Sequence, residues 1–137
     1  MYSIGDLSQR TGVKVPTIRY YETIGLIAPA TRTDGNQRRY DADGLRRLGF
    51  IRHARDLGLS LDAVRALVAL DGTPGQPCVD AHEIAALHLE DIRARISRLT
   101  RLEAELSRIA AMQDDGDAGC CRVLEALGDH ADCAGPH

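Results

Sequence analysis

Residues 4–25 read IGDLSQRTGVKVPTIRYYETIG, and they contain two helix patterns that meet at Gly12. The first pattern, over residues 4–12, predicts a short helix that is closed by this glycine. The second, over residues 13–25, tolerates Pro16 in its first turn and ends at Gly25. Two short helices joined by so tight a turn predict a helix-turn-helix.

A small β-hairpin, or wing, is predicted over residues 28–41. The Asp-Gly-Asn sequence at residues 34–36 is a turn signal between two short segments. The arginines of this wing are Arg32, Arg38 and Arg39. The wing therefore carries three positive charges directly after the helix-turn-helix.

Two further helices are predicted to complete a domain over residues 1–70. Asp41 or Asp43 can cap a helix that runs to about Leu57, and Ser60 can cap a shorter one over residues 61–70. The expected buried positions of the longer helix are Leu45, Leu48, Phe50, Ile51 and Ala54. The fold class that follows is mainly α, with a winged helix-turn-helix head.

A long helix is predicted after a linker over residues 71–79, where glycine and proline cluster. Residues 80–112 contain neither glycine nor proline, and such a helix would be about 50 Å long. Its apolar residues recur at steps of three and four: Leu89, Ile92, Ile96, Leu99, Leu102, Leu106 and Ile109. A second copy in a coiled coil is the natural partner for this stripe, and the alternative is a helix that lies on its own head domain. Residues 113–137 form a loop and tail.

Charge and cysteine are both distributed unevenly along the chain. Residues 1–57 carry ten Lys/Arg against six Asp/Glu, whereas residues 58–137 carry seven against fourteen. A basic head with an acidic tail fits a protein whose head touches phosphate. None of the four cysteines falls within the first 77 residues. With no apolar run that could span a bilayer and no secretion signal, we expect a cytoplasmic protein whose cysteines serve metal or redox chemistry.

Four segments together resemble the MerR family of bacterial transcription activators, and the match covers nearly the whole chain. They are YSIGDLSQRTGV (2–13), TIRYYETIGLIAP (17–29), RTDGNQRRY (32–40) and LRRLGFIRHARDLGLSLDAVRALV (45–68). The resemblance implies an antiparallel coiled-coil homodimer that binds a pseudo-palindrome in an over-long promoter spacer. It further implies that effector binding twists and bends the DNA, so that RNA polymerase can engage both promoter elements.

The expected DNA contacts lie on the second helix and the wing. Lys14, Thr17 and Tyr20 are polar groups at helix-face spacing, and Arg19 lies beside Tyr20. By family position, Thr17, Arg19 and Tyr20 face the groove or its phosphates, while Arg38 and Tyr40 clamp backbone phosphate. Arg32 completes the expected set: Lys14, Thr17, Arg19, Tyr20, Arg32, Arg38 and Tyr40. Such contacts fix register and raise affinity, although few of them read bases. Tyr21 is expected in the core of the small head.

The expected effector is a divalent soft metal ion: zinc, cadmium, lead or mercury. The resemblance places Cys78 and Cys121 among the thiolate ligands, and Cys120, which is adjacent to Cys121, is the third expected metal ligand. Because Cys78 precedes the long helix and Cys121 follows it, they can meet only between two antiparallel chains, which predicts two equivalent sites per dimer. The sensors of this branch usually carry a cysteine near Asp114, and this chain has none there.

Several further ligands remain open. His130, Cys133 and His137 could complete a tetrahedral site, and His82 and His88 could contribute, although a solvated surface role is the simpler one for each histidine. Cys120 and Cys121 could instead form a vicinal disulfide in a redox sensor. The spacing of the cysteines disfavours an iron–sulfur sensor, and the length leaves no room for a multidrug-binding domain. No enzyme motif is present.

Overall fold

The computed structural model describes residues 1–114, 116–118 and 121–128. These residues form two compact units, Met1–Ile84 and the part of the chain from Ala85 onward. In chain order the elements are α1 (Ile4–Thr11), α2 (Val15–Thr23), β1 (Thr31–Arg32), β2 (Arg38–Arg39), α3 (Ala42–Asp56), α4 (Leu61–Leu70), α5 (Val79–Ala110) and α6 (Arg122–Gly128). The mainly α fold class, with a short two-stranded wing, is therefore confirmed.

The helix-turn-helix is built by a capped first helix and a glycine turn. At the start of α1, the Ser3 hydroxyl accepts the Asp6 N–H, and the Asp6 carboxylate accepts the Ser3 N–H. At its end, Gly12 adopts a left-handed conformation with φ 77° and donates its N–H to the Ser8 carbonyl. Helix α2 then begins with Pro16 in its first turn, as predicted.

The wing is an antiparallel pair of two-residue strands. Thr31 lies opposite Arg39 in the register, and Asn36 makes the turn with a positive φ of 62°. Tyr2 forms an isolated bridge with Tyr40: the Tyr2 N–H donates to the Tyr40 carbonyl at 2.7 Å, and the Tyr40 N–H donates to the Tyr2 carbonyl at 2.8 Å. These two hydrogen bonds therefore hold the N-terminus against the base of the wing.

Helices α3 and α4 begin at side-chain caps. The Asp41 carboxylate accepts the Gly44 N–H, and the Ser60 hydroxyl accepts the Ala63 N–H. Of the two candidates for the first cap, the structure selects Asp41, and Asp43 lies within the first turn. Both helices follow the predicted bounds to within one residue.

A single apolar core holds the first unit together. Its buried members are Leu7, Val13, Ile18, Tyr21, Leu26, Ile27, Tyr40, Leu48, Ile51, Ala54, Leu59 and Val64. Of the five core positions expected on α3, three are buried, while Leu45 and Phe50 are half-buried. The unit extends to Ile84, which packs against this core, so it includes the linker and the start of α5.

The second unit contains most of α5, together with α6. Helix α5 starts one residue before the predicted bound and ends two residues before it, at Ala110. Within the described part of the unit, Ile109 is its buried apolar residue, whereas much of the stripe faces outward. No described helix is long and apolar enough to cross a membrane.

Candidate nucleic-acid interface and cysteine sites

Helix α2 separates a polar face from a buried one. Lys14, directly before the helix, is exposed, as are Arg19 and Tyr20 within it, and Tyr20 is 50% exposed. Thr17 is half-buried. An exposed aromatic ring and two exposed positive charges suit contact with bases and phosphates.

The opposite face of α2 faces the core. Ile18 is fully buried and Tyr21 is buried, which confirms that Tyr21 serves as a core aromatic. The rings of Tyr20 and Tyr21 lie 6.2 Å apart between centroids and are inclined at 48°. The two adjacent tyrosines therefore play different roles, since helical geometry turns their side chains to different faces.

The arginines of the wing differ in exposure and in hydrogen bonding. Arg32 is exposed, and its Nη1 donates to the Asn36 carbonyl at 3.3 Å, across the turn. Arg39 is half-buried and donates to the Arg38 carbonyl and to the Gln37 side chain. Of the wing residues expected to contact phosphate, Arg32 is therefore the most accessible.

Glu22, in the last turn of α2, forms hydrogen bonds with Arg38 of strand β2 and with Tyr40, the residue directly after that strand. Its Oε2 accepts Nε of Arg38 at 2.6 Å, and its Oε1 accepts the Tyr40 hydroxyl. The side chains of Arg38 and Glu22 are 29% and 11% exposed, so this ion pair is partly withdrawn from water. Arg38 is therefore not a simple exposed phosphate contact, because one of its donors is held by a carboxylate.

The prediction that Tyr40 clamps phosphate is contradicted by its burial. The side chain is fully buried in the core, and its hydroxyl donates to Glu22. Burial, followed by the hydrogen bond to the Glu22 carboxylate, raises the pKa of Tyr40 well above its usual range. Tyr40 is thus an anchor at the base of the wing, and the set of expected DNA contacts loses this residue.

Two side-chain contacts could not be predicted from the periodicity of the sequence. The first is the bond of Glu22 to residues 16 and 18 positions further along the chain. The second is Arg52 of α3, whose Nη1 donates to the Thr11 carbonyl at 2.6 Å and whose Nε pairs with Asp56 at 3.1 Å. Arg52 therefore stabilises the end of α1, where unpaired carbonyls and the helix dipole favour a cation.

The two described cysteines flank helix α5. Cys78, an exposed free thiol, directly precedes the helix and lines a cavity of about 260 Å³ together with Phe50, Leu67 and Pro77. Cys121, a half-buried free thiol, directly precedes α6, and its N–H donates to the Ala118 carbonyl. Thiol sulfurs are the donors that soft metal ions prefer, so these side chains fit the expected metal by their chemistry.

The remaining candidate ligands stand as follows. Cys120, His130, Cys133 and His137 lie outside the described residues. His82 is exposed and His88 is half-buried. Asp114, at the position where a cysteine was expected from the resemblance, accepts the Gly116 N–H at 2.8 Å. Within the described part of one chain, no three His, Cys, Asp or Glu side chains come together as a metal cluster.

A winged helix-turn-helix followed by a long helix defines the class of DNA-binding regulators, and comparisons with known proteins agree. The family model described as MerR HTH family regulatory protein matches residues 2–70, and a second model, described as MerR, DNA binding, matches residues 45–109. The chain belongs to the MerR family of DNA-binding transcription regulators. It is not an enzyme.

Individual relatives cover nearly the whole chain. The HTH-type transcriptional regulator ZntR of Escherichia coli is 37% identical in an alignment of length 136 that covers 93% of this chain and 92% of the relative. Heavy metal-dependent transcription regulator 2 of Rhizobium meliloti is 33% identical, covering 91% and 85%. Among solved structures, the regulator PbrR691 of Ralstonia metallidurans in complex with lead(II) is 33% identical, with a TM-score of 0.81, covering 93% of this chain and 99% of that one. The predicted class, a metal-responsive transcription regulator, is confirmed.

Proposed function

We propose that this chain binds a promoter pseudo-palindrome as a homodimer and activates transcription when a soft divalent metal ion binds between the two subunits. The observation that carries the proposal is the position of two free thiols, Cys78 and Cys121, on either side of α5. A helix of 32 residues is roughly 48 Å long. In an antiparallel pair, the start of one α5 lies beside the end of its partner, so thiols of different chains can meet.

The apolar stripe of α5 supports the dimer. Leu89, Ile96, Leu99 and Leu106 are all exposed in the single chain, and Ile92 and Leu102 are half-buried. A row of exposed leucine and isoleucine at steps of three and four is the pattern that a coiled-coil partner covers. A two-fold axis then gives two equivalent metal sites.

The metal site would use Cys78 of one subunit with Cys121 of the other, and Cys120 or Cys133 as further thiolates. His130 is the candidate nitrogen ligand. Bound metal supplies a divalent charge that holds thiolates from two chains together, and the thiols lose their protons as it binds. Two of the similar proteins, a heavy metal-dependent transcription regulator and a regulator solved in complex with lead(II), support this class of ion.

The DNA surface would combine α2 with the wing. The exposed polar groups of this surface are those of Lys14, Arg19, Tyr20 and Arg32, and the half-buried Thr17 is a further contact. Most of their contacts would go to phosphates and would fix the register of each head on its half-site. Metal binding would change how the two heads hold the duplex. The DNA would then be twisted, so that RNA polymerase can engage the promoter. The energetic cost of this distortion would contribute to recognition of the operator.

Metal titration of the reduced dimer tests the proposal. Zinc, cadmium, lead, mercury and copper(I) are added to the wild type, and thiolate-to-metal absorbance and stoichiometry are recorded. We expect tight binding of divalent ions, which is lost in Cys78→Ser and in Cys121→Ser, while both variants remain dimeric and bind operator DNA. Cys133→Ser shows separately whether the tail supplies a ligand. Unchanged metal affinity in both Cys78→Ser and Cys121→Ser contradicts the proposed site, and a response to oxidant without metal would indicate a redox sensor.

A further inference from the structure

Glu22 connects helix α2 to the wing through both oxygens of one carboxylate. Oε2 accepts Arg38 Nε at 2.6 Å, and Oε1 accepts the Tyr40 hydroxyl. We propose that Glu22 is a positioning residue for operator selectivity, which holds the wing at one place against α2 and neutralises Arg38. This inference rests on the proposed role of α2 and the wing as the DNA surface.

The two partners of Glu22 differ in how firmly they are held. Tyr40 is fully buried, and its backbone makes the bridge to Tyr2, so its hydroxyl is a fixed point in the first unit. Arg38 belongs to the two-residue strand β2 and is 29% exposed. Glu22 therefore links a fixed donor in the core to a more accessible donor on the wing.

The burial of Glu22 makes this pair more effective than the exposed ion pairs of the head. The Glu22 side chain is 11% exposed, whereas in the Arg46–Asp43 pair the two side chains are 70% and 84% exposed. Exposed pairs contribute little because water and salt screen them, whereas partial burial reduces that screening. We therefore expect the Glu22–Arg38 pair to persist at the salt concentrations at which DNA binding occurs.

The position of the wing matters because phosphate and base contacts must form together. Phosphate contacts supply affinity for any duplex, whereas base contacts from α2 distinguish the operator. If the wing is no longer held against α2, it can bind phosphates while α2 lies out of register with the bases of the operator. An Arg38 without its carboxylate also adds one positive charge to the surface. Both effects favour non-specific DNA over the operator.

Glu22→Gln, Arg38→Gln and the double variant test this inference in the full-length chain. Binding is measured by fluorescence anisotropy over a salt series, on an operator duplex selected with the wild type and on a scrambled duplex of the same length. For Glu22→Gln we expect about fivefold tighter non-specific binding at low salt, a log–log salt slope steeper by about 0.9, and an operator-to-scrambled ratio about tenfold lower. Arg38→Gln should leave the slope at its wild-type value, because Glu22 already neutralises this arginine, and the double variant should also have the wild-type slope.

The matched control is Asp43→Asn, which also removes one negative charge but from an exposed pair on α3. It should leave both the slope and the ratio unchanged, and Arg19→Ala should weaken binding to both duplexes. If Arg19→Ala weakens binding while Glu22→Gln behaves like Asp43→Asn, the inference about Glu22 is overturned and the proposed DNA surface stands. If Arg19→Ala has no effect, the proposed surface itself fails.

Folding is checked by thermal melting of each variant. A structural defect alone would lower both affinities and would not steepen the salt slope, so the slope separates positioning from loss of fold. If Glu22→Gln unfolds, Arg38→Gln still decides the question: an unchanged slope supports the neutralisation of Arg38 by Glu22, whereas a slope flatter by about 0.9 shows that Arg38 already binds phosphate and overturns the inference. A double variant that keeps the steeper slope of Glu22→Gln would show that the change does not act through Arg38, and would overturn the inference.

Discussion

Gly12→Ala is the substitution that tests most directly how the helix-turn-helix turn is held. Gly12 has φ 77°, and a methyl group on its Cα would overlap Nη1 of Arg52. That nitrogen donates to the Thr11 carbonyl at 2.6 Å, so the methyl group must displace a hydrogen bond from a charged donor. The left-handed conformation costs a non-glycine residue about 1 kcal/mol. Because the Arg52 side chain is 43% exposed, water can replace much of the displaced hydrogen bond, so its loss adds about 1 kcal/mol and the variant should lose about 2 kcal/mol of unfolding free energy.

Urea unfolding of the full-length chain at fixed protein concentration measures this loss, because dimerisation makes stability depend on concentration. Gly25→Ala is the matched control: its φ is 79°, and no atom lies within 4 Å of the added methyl group. Gly25→Ala should therefore lose about 1 kcal/mol of unfolding free energy, from the strain of the left-handed backbone alone. In an Arg52→Met background, the excess loss of Gly12→Ala over Gly25→Ala should shrink. Equal losses for Gly12→Ala and Gly25→Ala in the wild-type background would refute the role assigned to Arg52.

Three further substitutions test the DNA surface, the anchor of the wing and the dimer. Arg19→Ala should weaken binding to operator and scrambled DNA alike and flatten the log–log salt slope by about 0.9, measured by anisotropy; an unchanged slope contradicts a phosphate contact. Because folding raises the pKa of Tyr40, the protonated hydroxyl stabilises the folded state. This stabilisation is fully present below the ordinary pKa of 10.0 and is lost as the pH rises through the higher folded-state pKa. Tyr40→Phe should therefore remove part of the alkaline loss of stability, seen in urea midpoints above about pH 10, and an unchanged alkaline profile would refute this. Leu99→Asp places a charge in the exposed stripe of α5 and should give monomers in sedimentation, whereas an intact dimer would place the interface elsewhere.

The helices were predictable from the sequence because their signals are local. Ser60 caps α4 as expected, and Gly12 ends α1, since each acts on neighbours a few residues away. The wing followed from the turn signal at residues 34–36, where Asn36 adopts a positive φ. Helix caps and tight turns depend on the backbone preferences of individual residue types, which can be read from the sequence.

The side-chain partners of the DNA surface could not be predicted in the same way. Tyr40 and Arg38 resemble phosphate contacts by position, but the fold places the carboxylate of Glu22 beside both. Burial of Tyr40 and its bond to Glu22 are tertiary effects, and no short-range pattern relates residues 16 and 18 positions apart. The cysteines were identified by residue type and order. Cys78 and Cys121 lie on either side of α5 as free thiols, while their role as metal ligands and their meeting in a dimer remain predictions.

Mixed dimers of Cys78→Ser and Cys121→Ser chains measure the central proposal, a metal site shared between subunits. Separately tagged chains are co-expressed, the heterodimer is purified, and metal stoichiometry is read by thiolate absorbance. In the heterodimer, one site loses both thiolates and the other keeps both, so we predict about one intact site where each parent homodimer has none. A site formed within one chain would leave every site in the heterodimer without one ligand. Absence of any recovered metal binding in the heterodimer would therefore contradict the account.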